Sequence, residues 1–185
     1  MSKGRLFVIS GASGVGKSTV LKRVMERRKD LTFSVSATTR APRPGEVDGE
    51  SYYFVSKERF EDMIARGEFL EYDAHMDNYY GTPVTQARQK MEKGSVILDI
   101  EPNGAFNVRK VMPDAVLIFI APPSIEELHR RLESRGDTSA EQMKLRRERA
   151  VWEMEQSKKY DYIVVNEQVE ACADKILKII AEKAD

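Results

Sequence analysis

Short apolar runs alternate with helical patterns along most of the chain. Four of the runs are aliphatic and almost free of charge: Leu6 to Ile9, Val96 to Ile100, Val116 to Ile120 and Tyr162 to Val165. Such runs are typical of strands that helices cover on both faces. We therefore predict an α/β fold with a doubly wound parallel sheet, whose ligands lie beyond the carboxyl ends of the strands.

Start and stop signals mark the helices between these runs. Thr82-Pro83 opens a helix that Gly94 ends. Ser124 and Glu127 have the spacing of a capping box, and the helix that they begin is predicted to end at Gly136.

Two segments interrupt the alternation. The first combines short β-like pieces, a Pro-rich loop and one short helix near Ser56 to Arg66, and we interpret it as an inserted lobe. The second is an Arg-rich pair of helices. For any one arginine alone, a solvated helical face paired with acidic residues is the simpler interpretation, whereas the pair as a whole suits a closing lid. The prediction is one domain, residues 1–185, with a core at 1–32, 83–125 and 160–185, a lobe at 33–82 and a lid region at 126–159.

Residues 11–18 read GASGVGKS and lie between the first predicted strand and a helical pattern. This is the context that the phosphate-loop pattern G-x-x-x-x-G-K-[ST] requires. Its glycines let successive N–H groups converge on one anion at a helix N-terminus. Lys17 can reach the β- and γ-phosphates of a nucleotide, and Ser18 can ligate the Mg²⁺ that bridges them. The predicted triphosphate contacts are Gly11, Ala12, Ser13, Gly14, Val15, Gly16, Lys17, Ser18 and Thr19.

Composition narrows the choice of partners. The chain has 30 basic and 30 acidic residues, and residues 33–82 hold five Lys/Arg against ten Asp/Glu, which gives no footprint for a nucleic acid. No apolar run approaches the roughly 20 residues that span a bilayer, and the N-terminus has no signal-peptide pattern, so we expect a cytoplasmic protein without a membrane partner. The single cysteine, Cys172, is on the apolar stripe of a helix and is predicted to be core. His75 and His129 lack metal-ligand spacing.

The chain resembles the guanylate kinase family over essentially its whole length. The resemblance is carried, in the family's order, by GASGVGKS, FSVSATTRAPRPGEVDGESYYF, EFLEYDAHMDNYYGTP, VILDIEPNG, IFIAPPS, RLESRG and YIVVN. It implies the fold of the phosphate-loop nucleotide kinases and the reversible, Mg²⁺-dependent transfer of the ATP γ-phosphoryl group to GMP or dGMP, in purine nucleotide metabolism. The implied partners are small molecules, and the oligomeric state stays open.

The predicted lobe contains residue types that suit GMP. Arg40 and Arg43 can form bidentate contacts with a phosphate monoester, to which Tyr52 and Tyr80 add hydroxyl donors. Guanine presents N1–H and an N2 amine side by side, and one carboxylate can accept from both. The resemblance places Glu71 there, with Ser36 and Thr82 as further base contacts.

Other roles rest on the resemblance. Asp99 resembles the acidic residue near Mg²⁺, so Ser18 and Asp99 form the predicted metal site, and both Asp99 and Glu101 are predicted to face GMP. For ATP, Arg135 lies near the nucleotide, Arg146 reaches the transferring phosphate and Asn166 contacts adenine. Arg147 and Arg149 remain alternatives to Arg146. The predicted catalytic residues are Lys17, Arg40, Arg135 and Arg146.

Two other functions remain open at this stage. A non-catalytic scaffold with this fold would bind peptides, but the intact Lys17 and Ser18 argue against it. A kinase of the same fold for another phosphorylated acceptor should lack the guanine-binding set of Ser36, Glu71 and Thr82.

Overall fold

A computed structural model describes residues 4–75, 77–133 and 140–184. The strands are β1 (Leu6–Gly11), β2 (Thr32–Phe33), β3 (Ala37–Thr38), β4 (Tyr53–Phe54), β5 (Phe69–His75), β6 (Asn78–Pro83), β7 (Val96–Asp99), β8 (Val116–Ala121) and β9 (Tyr162–Val165). The helices are α1 (Lys17–Arg27), α2 (Lys57–Ala65), α3 (Val84–Met91), α4 (Pro102–Val111), α5 (Ile125–Glu133), α6 (Ala140–Gln156) and α7 (Val169–Ala184), with a 3₁₀ turn at Ser157–Lys159. In the described part of the chain, no helix is long and apolar enough to cross a membrane.

A parallel sheet of five strands forms the core, in the order β2-β7-β1-β8-β9. Phe7 in β1 and Ile118 and Phe119 in β8 are fully buried, because helices cover both faces of the sheet. β1 is central, with β7 on one side and β8 on the other. The carboxyl end of β1 is therefore the switch point at which ligands of such folds bind.

The four predicted core strands are confirmed, and the sheet also contains a fifth. β2 pairs with β7 in the register Thr32 with Val96 and Phe33 with Ile97. The predicted boundary of the lobe, at residue 33, therefore cuts a strand of the core sheet. A strand of two residues is too short to show a periodicity of its own, and its pairing is visible only in three dimensions.

The lobe has a second sheet, in the order β4-β3-β6-β5, and a small core of its own. Phe60 of α2 is fully buried and stacks on Phe69 at 4.4 Å and on Tyr79 at 5.2 Å between ring centroids. α2 begins after Ser56, whose hydroxyl accepts a hydrogen bond from the Arg59 N–H at 3.1 Å. β5 packs against α4, which joins the lobe to the core.

The helix ends and the cysteine can be compared with their predictions. The Ser124 hydroxyl accepts a hydrogen bond from the Glu127 N–H at 3.1 Å, as the predicted cap requires. The predicted helix end at Gly136 lies outside the described residues. Cys172 is buried on α7, which confirms it as core, and burial raises the pKa of its thiol to about 11.

Candidate active site

The phosphate loop joins β1 to α1 at the carboxyl edge of the core sheet. Gly14 has φ 85° and Gly16 has φ 90°, in the left-handed region that favours glycine. A Cβ atom at Gly16 would also lie 3.1 Å from the side-chain nitrogen of Asn166. The helix begins at Lys17, so its unpaired N–H groups face the space that the loop encloses. This arrangement suits a multiply charged anion.

Side chains of other elements hold the backbone of the loop. The Asn166 Nδ2 donates to the Val15 carbonyl at 2.8 Å. On the other side, the Ser13 N–H donates to Glu153 Oε2 of α6 at 2.8 Å. Arg131 of α5 approaches the Val15 carbonyl at 3.4 Å. The shape of the loop is therefore fixed by side chains that are distant in sequence as well as by its glycines.

Lys17 and Ser18 of the loop face the carboxyl end of β7. Lys17 forms an ion pair with Asp99, the last residue of that strand. Ser18 and Asp99 line one cavity, so a hydroxyl and a carboxylate oxygen are available in the same place. Oxygen donors of this kind suit Mg²⁺, which keeps several water and phosphate ligands and needs few from the protein.

Glu71 is the central acidic group of the lobe. Its Oε1 accepts a hydrogen bond from the Thr82 hydroxyl on the adjacent strand at 2.6 Å. Burial raises the pKa of the Glu71 carboxyl, and the Thr82 hydrogen bond opposes this rise. The backbone of α4 approaches closely at Gly104, where a Cβ atom would lie 3.3 Å from Glu71 Oε2. Glycine at this position leaves room for the carboxylate.

Arg40 is held by a carboxylate that was not predicted from the sequence. Its Nη1 and Nη2 donate to the two oxygens of Glu46 at 3.0 and 2.8 Å. Glu46 also accepts from the Arg43 N–H at 2.7 Å, while the Arg43 side chain is exposed. The Arg40 guanidinium lies 5.4 Å from the ring centroid of Tyr52. Glu46 is the last residue of the Pro-rich run APRPGE. An acidic residue so close to Arg40 and Arg43 was the feature of the sequence that could have predicted the ion pair.

Two cavities meet between the loop and the lobe. One, of about 290 Å³, is lined by residues 11–19 together with Glu101, Arg149 and Glu153. The other, of about 520 Å³, is also lined by Glu101 and Arg149, which form an ion pair. It brings together six of the predicted acceptor residues: Ser36, Tyr52, Glu71, Tyr80, Asp99 and Glu101. Thr82 reaches this cavity through its bond to Glu71.

The predicted ATP-side residues outside the loop are placed differently. Arg135 lies outside the described residues. Arg146 is exposed and Arg147 half-buried on α6, whereas Arg149 lines both cavities. Asn166 is buried against the loop backbone, and its contact with adenine stays a prediction.

Arg131 and Glu153 are site residues that were not predicted from the sequence. Both sit in an Arg/Glu-rich stretch where a solvated helical face was the simpler interpretation of any single charge. The structure shows that both contact the loop.

The fold, with a phosphate loop at the carboxyl edge of the sheet and a second cavity beside it, is typical of the phosphate-loop phosphotransferases. The family model for guanylate kinase matches residues 3–183. On this match and on the relatives described next, the chain belongs to the guanylate kinase family, the ATP:GMP phosphotransferases.

Individual relatives are similar in sequence to this chain over nearly its whole length. A guanylate kinase from Lactococcus lactis is 48% identical over 179 residues, which cover 96% of this chain and 87% of that protein. A guanylate kinase from Thermus thermophilus is 48% identical over 183 residues, or 98% of this chain and 83% of that protein. The crystal structure of guanylate kinase from Anaplasma phagocytophilum superposes with a TM-score of 0.74 at 35% identity, covering 100% of this chain and 88% of that one.

Proposed function

We propose that the chain binds ATP at residues 11–19 and GMP or dGMP in the cavity beside Glu71, and transfers the phosphoryl group directly between them. The observation that carries this proposal is that the two cavities share Glu101 and Arg149. An oxygen of the GMP phosphate attacks the γ-phosphorus in line, and the bond to the β,γ-bridging oxygen breaks. ADP and GDP are the products, and no covalent enzyme intermediate is needed.

Glu71 selects the base. With Oε1 already accepting from Thr82, the ionised carboxylate still has lone pairs for the N1–H and N2–H of guanine. Adenine has no such pair of donors, and a buried carboxylate without partners is costly. Together with Ser36, this contact supports discrimination of about 10⁴ between the two bases.

The acceptor phosphate is bound by Arg40 and Arg43, with Tyr52 and Tyr80 as hydroxyl donors. Glu46 and the Ala41 carbonyl engage three N–H groups of Arg40, and Tyr80 is a further hydrogen-bond partner, so GMP would displace or share the Tyr80 contact as its phosphate binds. Glu46 restricts the guanidinium to one orientation, so less rotamer freedom is lost when GMP binds.

On the donor side, Lys17 and the loop N–H groups offset the charge that develops on the moving phosphoryl group. Ser18 and Asp99 would hold Mg²⁺, which when bound neutralises part of the charge of the phosphates. Arg135 and Arg146 act from the lid region, with Arg147 and Arg149 as alternatives for the second role. Asn166 contacts adenine.

The core, the lobe and the lid region have separate roles in this proposal. The core carries ATP, the lobe at 33–82 carries GMP, and the lid region at 126–159 excludes water while they react. We place the enzyme in the cytoplasm, where both nucleotides are available.

An ADP-release assay with purified protein, ATP and Mg²⁺ tests the proposal with four acceptors: GMP, dGMP, AMP and UMP. Turnover with GMP and dGMP, and little with AMP or UMP, is expected. Equal rates with AMP would refute the role of Glu71, and absence of turnover with every acceptor would refute the transfer itself.

A further inference from the structure

We propose that Glu153 is a positioning residue that fixes the first turn of the phosphate loop and ties it to Arg149 at the junction of the two cavities. This inference rests on the proposed assignment of the loop to ATP. The roles assigned so far leave Glu153 unused, although it lies on the wall of the donor cavity.

The two carboxylate oxygens of Glu153 have different partners. Oε2 accepts the Ser13 N–H at 2.8 Å, and Oε1 accepts Arg149 Nε at 3.3 Å. The residue is only 3% exposed. Burying a carboxylate costs free energy because the group loses its hydration, unless hydrogen bonds and an opposite charge compensate. For Glu153, the compensating partners are the loop N–H and an arginine of its own helix.

The bond to Ser13 acts on the part of the loop before the left-handed glycines. Backbone N–H groups of such loops normally converge on the anion. Glu153 binds one of them at the edge of the donor cavity, which fixes the peptide between Ala12 and Ser13. The Val15 N–H closes the same turn on the Ala12 carbonyl at 3.0 Å, and without Glu153 this internal hydrogen bond alone would hold the turn.

The hydrogen bond between Glu153 and Arg149 connects the loop to the acceptor cavity. Arg149 also pairs with Glu101, so the contacts run from Ser13 through Glu153 and Arg149 to Glu101. Ser13 lines the donor cavity, and Glu101 and Arg149 line both cavities. Glu153 carries a negative charge close to the proposed phosphate site, and the positive charge of Arg149 balances it. In return, the carboxylate of Glu153 holds the Arg149 side chain in place.

The ionisation of Glu153 responds to the same neighbours. Burial raises the pKa of its carboxyl and the nearby Glu101 carboxylate adds to the rise, whereas the Ser13 N–H and Arg149 oppose it. Loss of Arg149 would therefore remove part of what keeps the carboxyl ionised and leave the Ser13 N–H to oppose the effect of burial.

Kinetics of Glu153→Ala and Glu153→Gln test the inference, with Glu155→Ala as the matched control on the exposed side of α6. Each KM is measured with the other nucleotide saturating, well below the melting temperature of every variant. Glu153→Ala is expected to raise the KM for ATP and to lower kcat, each by about tenfold or more, and to change the KM for GMP less than about threefold. Glu155→Ala should match the wild-type protein.

The conservative variant separates the two bonds. In Glu153→Gln the side-chain amide carbonyl still accepts the Ser13 N–H, so the KM for ATP should recover to within about threefold of wild type. The amide no longer balances Arg149, so kcat should stay reduced by about threefold or more. A role limited to stability would lower the melting temperature and leave both constants within about twofold, which would overturn the inference.

Two further outcomes also bear on the role of Glu153. If Glu153→Ala does not fold, Arg149→Gln, Glu153→Gln and the double variant are compared. A double variant that loses no more kcat than either single variant supports the chain of contacts, and losses that add overturn it. If wild-type protein transfers nothing to GMP, the proposed function fails. ATP binding measured by calorimetry then tests Glu153 separately, because Glu153→Ala should still weaken it.

Discussion

On the proposed assignments, the phosphate loop and the acceptor lobe bind their ligands with different kinds of groups. In the loop the donors are mainly backbone N–H groups, and distant residues such as Asn166 and Glu153 hold the backbone in shape. In the lobe the ligand groups are side chains that hold one another, as Glu46 holds Arg40 and Thr82 holds Glu71. The loop depends on the whole core, whereas the lobe depends on a few neighbouring side chains.

The two regions also rest on different hydrophobic cores. β1, which leads into the loop, is buried in the main core, while the lobe packs around Phe60 in a small cluster of its own. Substitutions that destabilise the lobe should therefore weaken the binding of GMP selectively. Substitutions that destabilise the core near the loop should weaken ATP binding and lower turnover together.

Removal of the loop lysine is expected to have the largest effect. Lys17→Ala should lower kcat by about 10³-fold or more, because the charge on the transferring group loses its nearest fixed cation. The KM for GMP should change little. An ADP-release assay measures both constants, and Lys178→Ala, on the exposed side of α7, is the control. A loss below about tenfold would show that Lys17 is not part of the transfer.

The lobe counterpart is Glu71→Gln. An amide presents its own donors to the guanine N–H groups, so kcat/KM for GMP should fall by about a hundredfold or more, while the KM for ATP stays within about twofold. Rates with GMP and AMP give the change in preference, and Glu68→Gln is the control on the more exposed residue nearby. An unchanged preference for GMP over AMP would reject the assignment of Glu71 to the base.

The separate cores are tested by truncating one aromatic ring in each. Phe60→Ala should destabilise the lobe by about 3–5 kcal/mol and raise the KM for GMP about tenfold, with near-normal ATP binding. Phe119→Ala, in β8, should instead lower the stability of the entire chain. Hydrogen exchange followed along the sequence distinguishes them. Loss of protection throughout the core in Phe60→Ala would contradict the independence of the lobe.

The smallest effect concerns pH. Because burial raises the pKa of Glu71 in the folded chain, the native state binds this proton more tightly than the unfolded state does. The stability that this group contributes is complete below its ordinary pKa and is lost as the pH rises through the raised pKa. Glu71→Gln cannot titrate, so its free energy of unfolding should gain on that of the wild-type protein over this interval. Urea unfolding at a series of pH values measures the difference, and a constant difference would show that the pKa is not raised.

The features that could be predicted from the sequence depend on patterns of residues that are close together in the chain. The four long core strands, the cap at Ser124 and the phosphate loop depend on residues that are adjacent in the chain. Two features depend on pairing across long separations instead: β2 joins the core through β7, and Arg131 meets Val15 through the fold. Charged residues on α6 look alike in the sequence, and only the packing of that helix distinguishes the buried Glu153 from its exposed neighbours.

Cys172 gives the protein a practical use in spectroscopy. It is the single thiol in the sequence, it is buried, and its pKa of about 11 keeps the reactive thiolate scarce near neutral pH. Maleimide dyes should therefore leave the native protein unlabelled. A pair of cysteines introduced at exposed positions, one at Glu50 on the lobe and one at Lys178 on α7, would carry fluorophores without background and report the distance between lobe and core during turnover.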